Sequence, residues 1–221
     1  MDDATSTSSF ANNMLLFFAK VISYIFHPLF IPTYIFAILI YYVPYQFAGL
    51  QQNVVWLRLF SVFWMTAFFP AIAVFLLWKL KFINNIYLRT QKERIIPFFI
   101  TMFFYWWMYY LSKSPQFAEQ QPIVLKFFFF GIFISTSIGV IANNFLKVSL
   151  HGMAMGGATT ALILMAIFYG INLNLPILAA VLLTGIVATS RFIAGEHTNK
   201  EMYVGIAIGM LCQIFAYLFV M

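Results

Sequence analysis

Apolar runs of about twenty residues alternate with short polar islands over almost the whole chain. A membrane-spanning helix needs roughly 20 predominantly apolar residues. The pattern fits about seven such runs, near residues 28–47, 56–78, 95–112, 124–142, 150–170, 176–192 and 202–220. Prolines punctuate them: Pro28 and Pro32 open the first, Pro70 predicts a kink in the second, and Pro176 opens the sixth. Upstream, residues 14–26 mix apolar positions with Lys20 and Ser23, which predicts a helix lying in the membrane interface. The polar residues 1–13 read as a disordered tail. The expectation is an all-α polytopic membrane bundle of about six to seven transmembrane helices plus that N-terminal interfacial helix. Residues 1–221 form a single integral membrane domain, with the bundle at 28–220.

Composition narrows the class. The chain is 63% hydrophobic and only 8% charged, with a mean hydropathy of +0.92, which excludes an ordinary soluble domain. A net charge of +6, carried mostly in short loops, suits lipid head groups or phosphate substrates. Nucleic acid is not an expected partner, because no contiguous basic face is visible. The one cysteine, Cys212, lies inside the last apolar run and gives no disulfide framework. The start lacks the basic segment of a cleaved signal peptide. Small residues four apart in the fifth run (Gly152, Gly156) predict close helix approach and a central place in the bundle.

Two polar islands carry the chemistry. Ser190–Glu201 holds Arg191, His197 and Glu201, and Lys147–Gly152 holds Lys147, Ser149 and His151. Ionisable groups at membrane depth are costly and by default functional. His197 and Glu201, four apart, meet if a helix starts near Thr198, so the carboxylate can hold one ring nitrogen and leave the other as nucleophile or base. Thr198-Asn-Lys-Glu201 also reads as a capping box, and both roles can coexist. Arg191 offers a forked donor for phosphate oxygens, with snorkelling to the head groups as its other reading. Ser149 and His151 precede Gly152 at a helix start, where free amides favour an anion. Arg94, in the charged stretch 79–94, either anchors that loop or reaches a bound phosphate. His27, before Pro28, reads as structural, with a third active-site group as its other reading. Counting spans puts loops 79–94, 143–151 and 193–201 on one face. A metal held by the two histidines and Glu201 is disfavoured, because Arg191 and Lys147 would repel a cation; no cofactor is expected.

Ser190-Arg191, five residues, His197, three residues and Glu201 resemble the third signature of the type 2 phosphatidic acid phosphatase superfamily, Ser-Arg-x5-His-x3-Asp. Lys147-Val-Ser149-Leu-His151-Gly152 resembles the second, Pro-Ser-Gly-His, and the likeness covers about residues 125–220. The family's aspartate is Glu201 here, Val148 and Leu150 replace its Pro and Gly, and its first signature, Lys-x6-Arg-Pro, has no counterpart around Arg94. The resemblance implies a metal-independent lipid phosphatase acting on a phosphomonoester or diphosphate. In it His197 is the nucleophile forming a phosphohistidine, His151 protonates the leaving group, Glu201 orients His197, and Arg191 and Ser149 hold phosphate.

Two other classes stay open: a non-catalytic relative that binds a lipid phosphate or serves a membrane assembly, and a small transporter. Expected partners are a lipid phosphate and membrane lipids, with a homo-oligomer or membrane complex left open. The bacterial relatives imply an inner-membrane location. Of the 12 Lys and Arg residues, nine fall on the site's face, which the positive-inside rule assigns to the cytoplasm. Many bacterial relatives face the periplasm instead.

Overall fold

The structure, a computed structural model, describes residues 2–86, 88, 90–114 and 122–221, with side chains from Asn12 onward. Arg89, one of the 12 Lys and Arg residues counted above, lies outside the described residues. The described chain is all-helical: α1 (Asp2–Ile25), α2 (Ile31–Tyr42), α3 (Gln52–Lys79), α4 (Gln91–Lys113), α5 (Val124–Ala142), α6 (Leu150–Tyr169), α7 (Asn174–Ile193) and α8 (Asn199–Val220). Helices α3 to α8 are each long and apolar enough to cross a membrane, which makes the chain an integral membrane protein.

The first apolar run is not one helix. At 12 residues α2 is about 18 Å long, short of a hydrocarbon core of roughly 30 Å. It stops at Val43, whose helical conformation Pro44 disfavours, and a 3-10 turn, Pro44–Phe47, continues the path. His27 before α2 meets His151 at the start of α6, and Tyr45 in the turn meets Tyr169 at the end of α6. The run therefore follows α6 end to end, in two pieces.

Two further boundaries differ from the sequence expectation. Helix α1 begins at Asp2, so the stretch read as a disordered tail is helical; extending an existing helix is far easier than nucleating one. Helix α1 packs along α7, with Phe17, Phe18 and Tyr24 exposed on its outer side. Helix α4 begins at Gln91, because Thr90 and Glu93 form a capping box. That moves Lys92 and Arg94 from the loop into the first helical turn. At Pro70 the helix takes a π-helical turn over Trp64–Phe68, which accommodates the hydrogen bond that proline, lacking an amide proton, cannot donate.

Helix α8 is the inner partner of both α6 and α5. The α6–α8 seam is built from glycines: a Cβ on Gly205 would sit 2.6 Å from the Ser149 carbonyl oxygen, and one on Gly152 would sit 2.8 Å from that of Met202. Gly156 and Gly209 repeat the contact one turn deeper, so each helix carries a Gly-x3-Gly pair and the two backbones touch. Phe127, Phe128 and Phe129 are buried, so the aromatic run of α5 is packing surface. Gln91 Nε2 donates to the Asn143 carbonyl (2.7 Å) while Asn143 Nδ2 donates to that of Gln91 (2.9 Å). This amide clasp locks the start of α4 to the end of α5 on the face where the polar islands meet.

Candidate active site

Two helix-terminal motifs shape the segment between α7 and α8. Gly195, at φ +66°, turns the chain out of α7, with Gly195 N donating to the Phe192 carbonyl and Glu196 N to that of Arg191. Three residues on, Thr198 caps α8 and closes a capping box with Glu201. His197 is fixed between the two and is buried. Its Nδ1 lies 3.1 Å from Glu201 Oε2, which also accepts from Thr198 N at 3.0 Å. An ionised carboxylate only accepts, so Nδ1 carries the proton and Nε2 is left uncommitted. Capping and orienting are therefore both served by one oxygen of Glu201.

The second island is tied to the first through backbone: Ser149 N donates to the Glu201 carbonyl at 3.2 Å. Ser149 itself is wholly buried as the N-cap of α6, its hydroxyl oxygen accepting from Gly152 N at 3.2 Å. Two of the amides expected to meet an anion, Gly152 N and Met153 N, are thus taken by Ser149. His151 turns toward α1, with Nε2 3.0 Å from the Ser23 carbonyl. A carbonyl cannot donate, so Nε2–H donates and Nδ1 keeps its lone pair.

Cations ring the histidines. Arg94, 5% exposed, reaches across from α4 and donates from Nη1 to the Val148 carbonyl (3.2 Å) and from Nε to that of Leu88 (2.9 Å). Lys147 Nζ donates to the Glu196 carbonyl at 3.2 Å. Arg191 Nη2 lies 3.8 Å from Glu196 Oε2, while its Nε is buried without a partner. Burial, then Arg94, then Arg191 and Lys147 press the His197 pKa down to about 4, against the opposing hydrogen bond to Glu201. Burial and then Arg94 also lower Lys147.

The structure therefore gathers His151, His197, Glu201, Arg191, Lys147 and Arg94, and gives Ser149 a capping task. It adds two residues. His27 stands edge-on to His151 with ring centroids 5.6 Å apart, its Nδ1 accepting from Leu29 N at 3.4 Å. Burial, then Arg191, lowers its pKa to about 4. Glu196 meets Arg191 through its carboxylate and Lys147 through its backbone carbonyl. Possession of a third histidine in so apolar a chain was the only sequence signal for His27, and Glu196 had none. Among the described residues, no three of His, Cys, Asp and Glu come together in a way that could hold a metal ion.

No family model, curated protein or solved structure matches the chain.

Two histidines outside the spans, His27 and His197, set a pH dependence. Between pH 6.5 and about 4 the unfolded chain binds protons that half-buried His27 and buried His197 refuse, so stability present above 6.5 falls as pH drops to about 4 and then levels. The expected loss is up to about 3 kcal/mol per histidine. Thermal unfolding in detergent across that window measures it, and His27→Asn should flatten the slope.

Proposed function

We propose that the chain is a lipid phosphatase that cleaves a phosphomonoester or diphosphate of a lipid through a phosphohistidine, in the manner of the type 2 phosphatidic acid phosphatases it resembles. The observation that carries this reading is His197: Nδ1 held by Glu201, Nε2 uncommitted, and three cations around it. The unpartnered Nε of Arg191 supports it, since a buried guanidinium donor without an acceptor is expensive and an anion would satisfy it.

In the first step His197 Nε2 attacks phosphorus and the bond from phosphorus to the lipid oxygen breaks. His151 Nδ1, a lone pair in the free protein, takes up the proton of a monoanionic phosphoryl group as the lipid binds and passes it to the departing oxygen, while the Ser23 carbonyl holds the ring in place. Glu201 balances the positive charge that develops on His197. In the second step water attacks the phosphohistidine, His151 Nδ1 takes the water's proton, and phosphate leaves with His197 restored. Arg191, Arg94 and Lys147 supply the charge around the phosphoryl oxygens. The excess of Lys and Arg on this face supports a cytoplasmic position for the site.

Phosphate release from a panel of lipid phosphates by the purified protein tests the reading. Turnover is expected to survive a chelator, because the charge comes from side chains, and to be blocked by vanadate, which mimics five-coordinate phosphorus. Activity lost in chelator and restored by zinc or magnesium would replace it with a metallo-hydrolase. A second reading, a non-catalytic binder of lipid phosphate, draws on Glu196, which already engages both Arg191 and Lys147. Binding without turnover on any lipid would favour it.

A further inference from the structure

Glu196 is an anion set among the cations of the phosphate site, and the two steps above give it no task. Its backbone is pinned on both sides: Glu196 N donates to the Arg191 carbonyl, and the Glu196 carbonyl accepts from Lys147 Nζ, each at 3.2 Å. The side chain is held far less firmly. It is 32% exposed, and its Oε2 lies 3.8 Å from Arg191 Nη2, beyond hydrogen-bond distance and so a charge contact only. Rotation about the side-chain bonds of Glu196 opens this contact without moving the backbone.

Arg191 shows what the contact leaves undone. In a guanidinium the N–H of Nε and an N–H of Nη2 point the same way and form a fork that grips two oxygens of a carboxylate or phosphate at once. Here Glu196 stands at Nη2 alone, and Nε is buried without a partner. The fork is half used, by an oxygen too distant to bond. A phosphate gripping both donors would bring its negative oxygens to where Glu196 Oε2 now faces, and like charges repel. Phosphate and the Glu196 carboxylate therefore exclude one another at the fork. The charge of Glu196 also reaches Lys147 and Arg94, so the carboxylate stands in for phosphate toward the same three cations.

We propose that Glu196 is the resident counter-anion of the phosphate site: its carboxylate faces Arg191 in the resting protein, swings away when phosphate takes the Nε–Nη2 fork, and returns as product phosphate leaves. The proposal rests on the phosphate-site reading for its ligand. It makes Glu196 a residue that sets phosphate affinity and release and takes no part in bond breaking.

Inorganic phosphate is the probe, so the test does not need turnover. It is titrated into the purified full-length protein in detergent, with binding read by calorimetry. Glu196→Gln keeps the size of the side chain and removes its charge; it should bind phosphate about fivefold more tightly than wild type, the worth of one partly exposed ion pair. A tighter site is a readout that damage to the fold would not give. Glu196→Ala repeats the measurement should the first variant fail to fold. Arg191→Lys keeps a cation, but its ammonium donors can serve a carboxylate and a phosphate at once, so nothing has to be displaced. In that background Glu196→Gln should tighten phosphate binding by about twofold or less, the residue of screened repulsion. Phosphate bound by Glu196→Gln no more tightly than by wild type overturns the counter-anion and leaves the phosphate site standing. An equal gain in both backgrounds reduces Glu196 to a distant repulsive charge and overturns the displacement. No phosphate binding by any of these proteins removes the phosphate site and the counter-anion with it. Binding as expected with no phosphate release from any lipid would leave the counter-anion standing and remove the catalytic reading alone.

Discussion

His197→Ala is expected to reduce phosphate release from any lipid substrate by about 10³-fold or more, the scale on which removal of a covalent nucleophile acts. The fold should tolerate the change. His197 lies in the five-residue link between α7 and α8, and the Gly195 turn and Thr198 cap that shape this link use backbone groups and Glu201. Rapid quench of wild type in alkaline detergent with radiolabelled substrate should trap a label that is stable in alkali and lost in acid, as for a phosphoramidate, and His197→Ala should show none. His151→Ala separates the two roles. It should lose lipid turnover but retain the first step with p-nitrophenyl phosphate, whose leaving group needs no proton, and so release a burst of nitrophenol while the phosphohistidine persists. A label that persists in His197→Ala, or equal loss on both substrates in His151→Ala, would contradict the assigned roles.

What could be read beforehand followed from local patterns. The crossing helices stand where apolar runs of sufficient length stand, and the His197–Glu201 pair follows from a spacing of four at a helix start. Counting spans placed the three polar clusters on one face, where hydrogen bonds from Gln91 to Asn143, Arg94 to Val148, Lys147 to Glu196 and Ser149 to Glu201 join them.

The rest depended on long-range contacts or on competition for the same atoms. His27 reaches His151 across 124 positions, and His151 is held by a backbone carbonyl of α1, for which no side-chain pattern exists. Ser149 before Leu-His-Gly suits a phosphate loop and a helix cap equally; the cap prevails because the α6–α8 seam encloses the serine completely. The α4 boundary was legible in principle, since Thr90-x-x-Glu93 repeats the pattern of Thr198-x-x-Glu201. The lysine and arginine in its first turn disguised it as loop. Arg94 then owes its place to that extra helical turn, which aims it at the Val148 carbonyl and not at solvent.

Glu201 is where capping and catalysis meet, and its substitution should separate them. Glu201→Gln keeps an oxygen for Thr198 N and for His197 Nδ1–H, so the helix start and the imidazole tautomer should survive, and thermal stability should change little. What disappears is the negative charge beside His197, whose surroundings otherwise contain Arg94, Arg191 and Lys147. The positive charge that His197 gains on attacking phosphorus is then uncompensated, and turnover should fall by about 10²-fold or more. As Glu201 touches His197 and not the substrate, it is a positioning residue, and the loss should appear in kcat with KM nearly unchanged. Glu201→Asp keeps the charge but shortens the arm by one methylene, so the single oxygen can no longer serve both Thr198 and His197 at their present distances. Part of the rate should return with it, along with a small loss of thermal stability from the weakened cap. If Glu201→Gln turned over like wild type while His197→Ala was inactive, the capping box would be the whole role of Glu201, and the charge of the imidazolium would have to be balanced by the phosphoryl group itself.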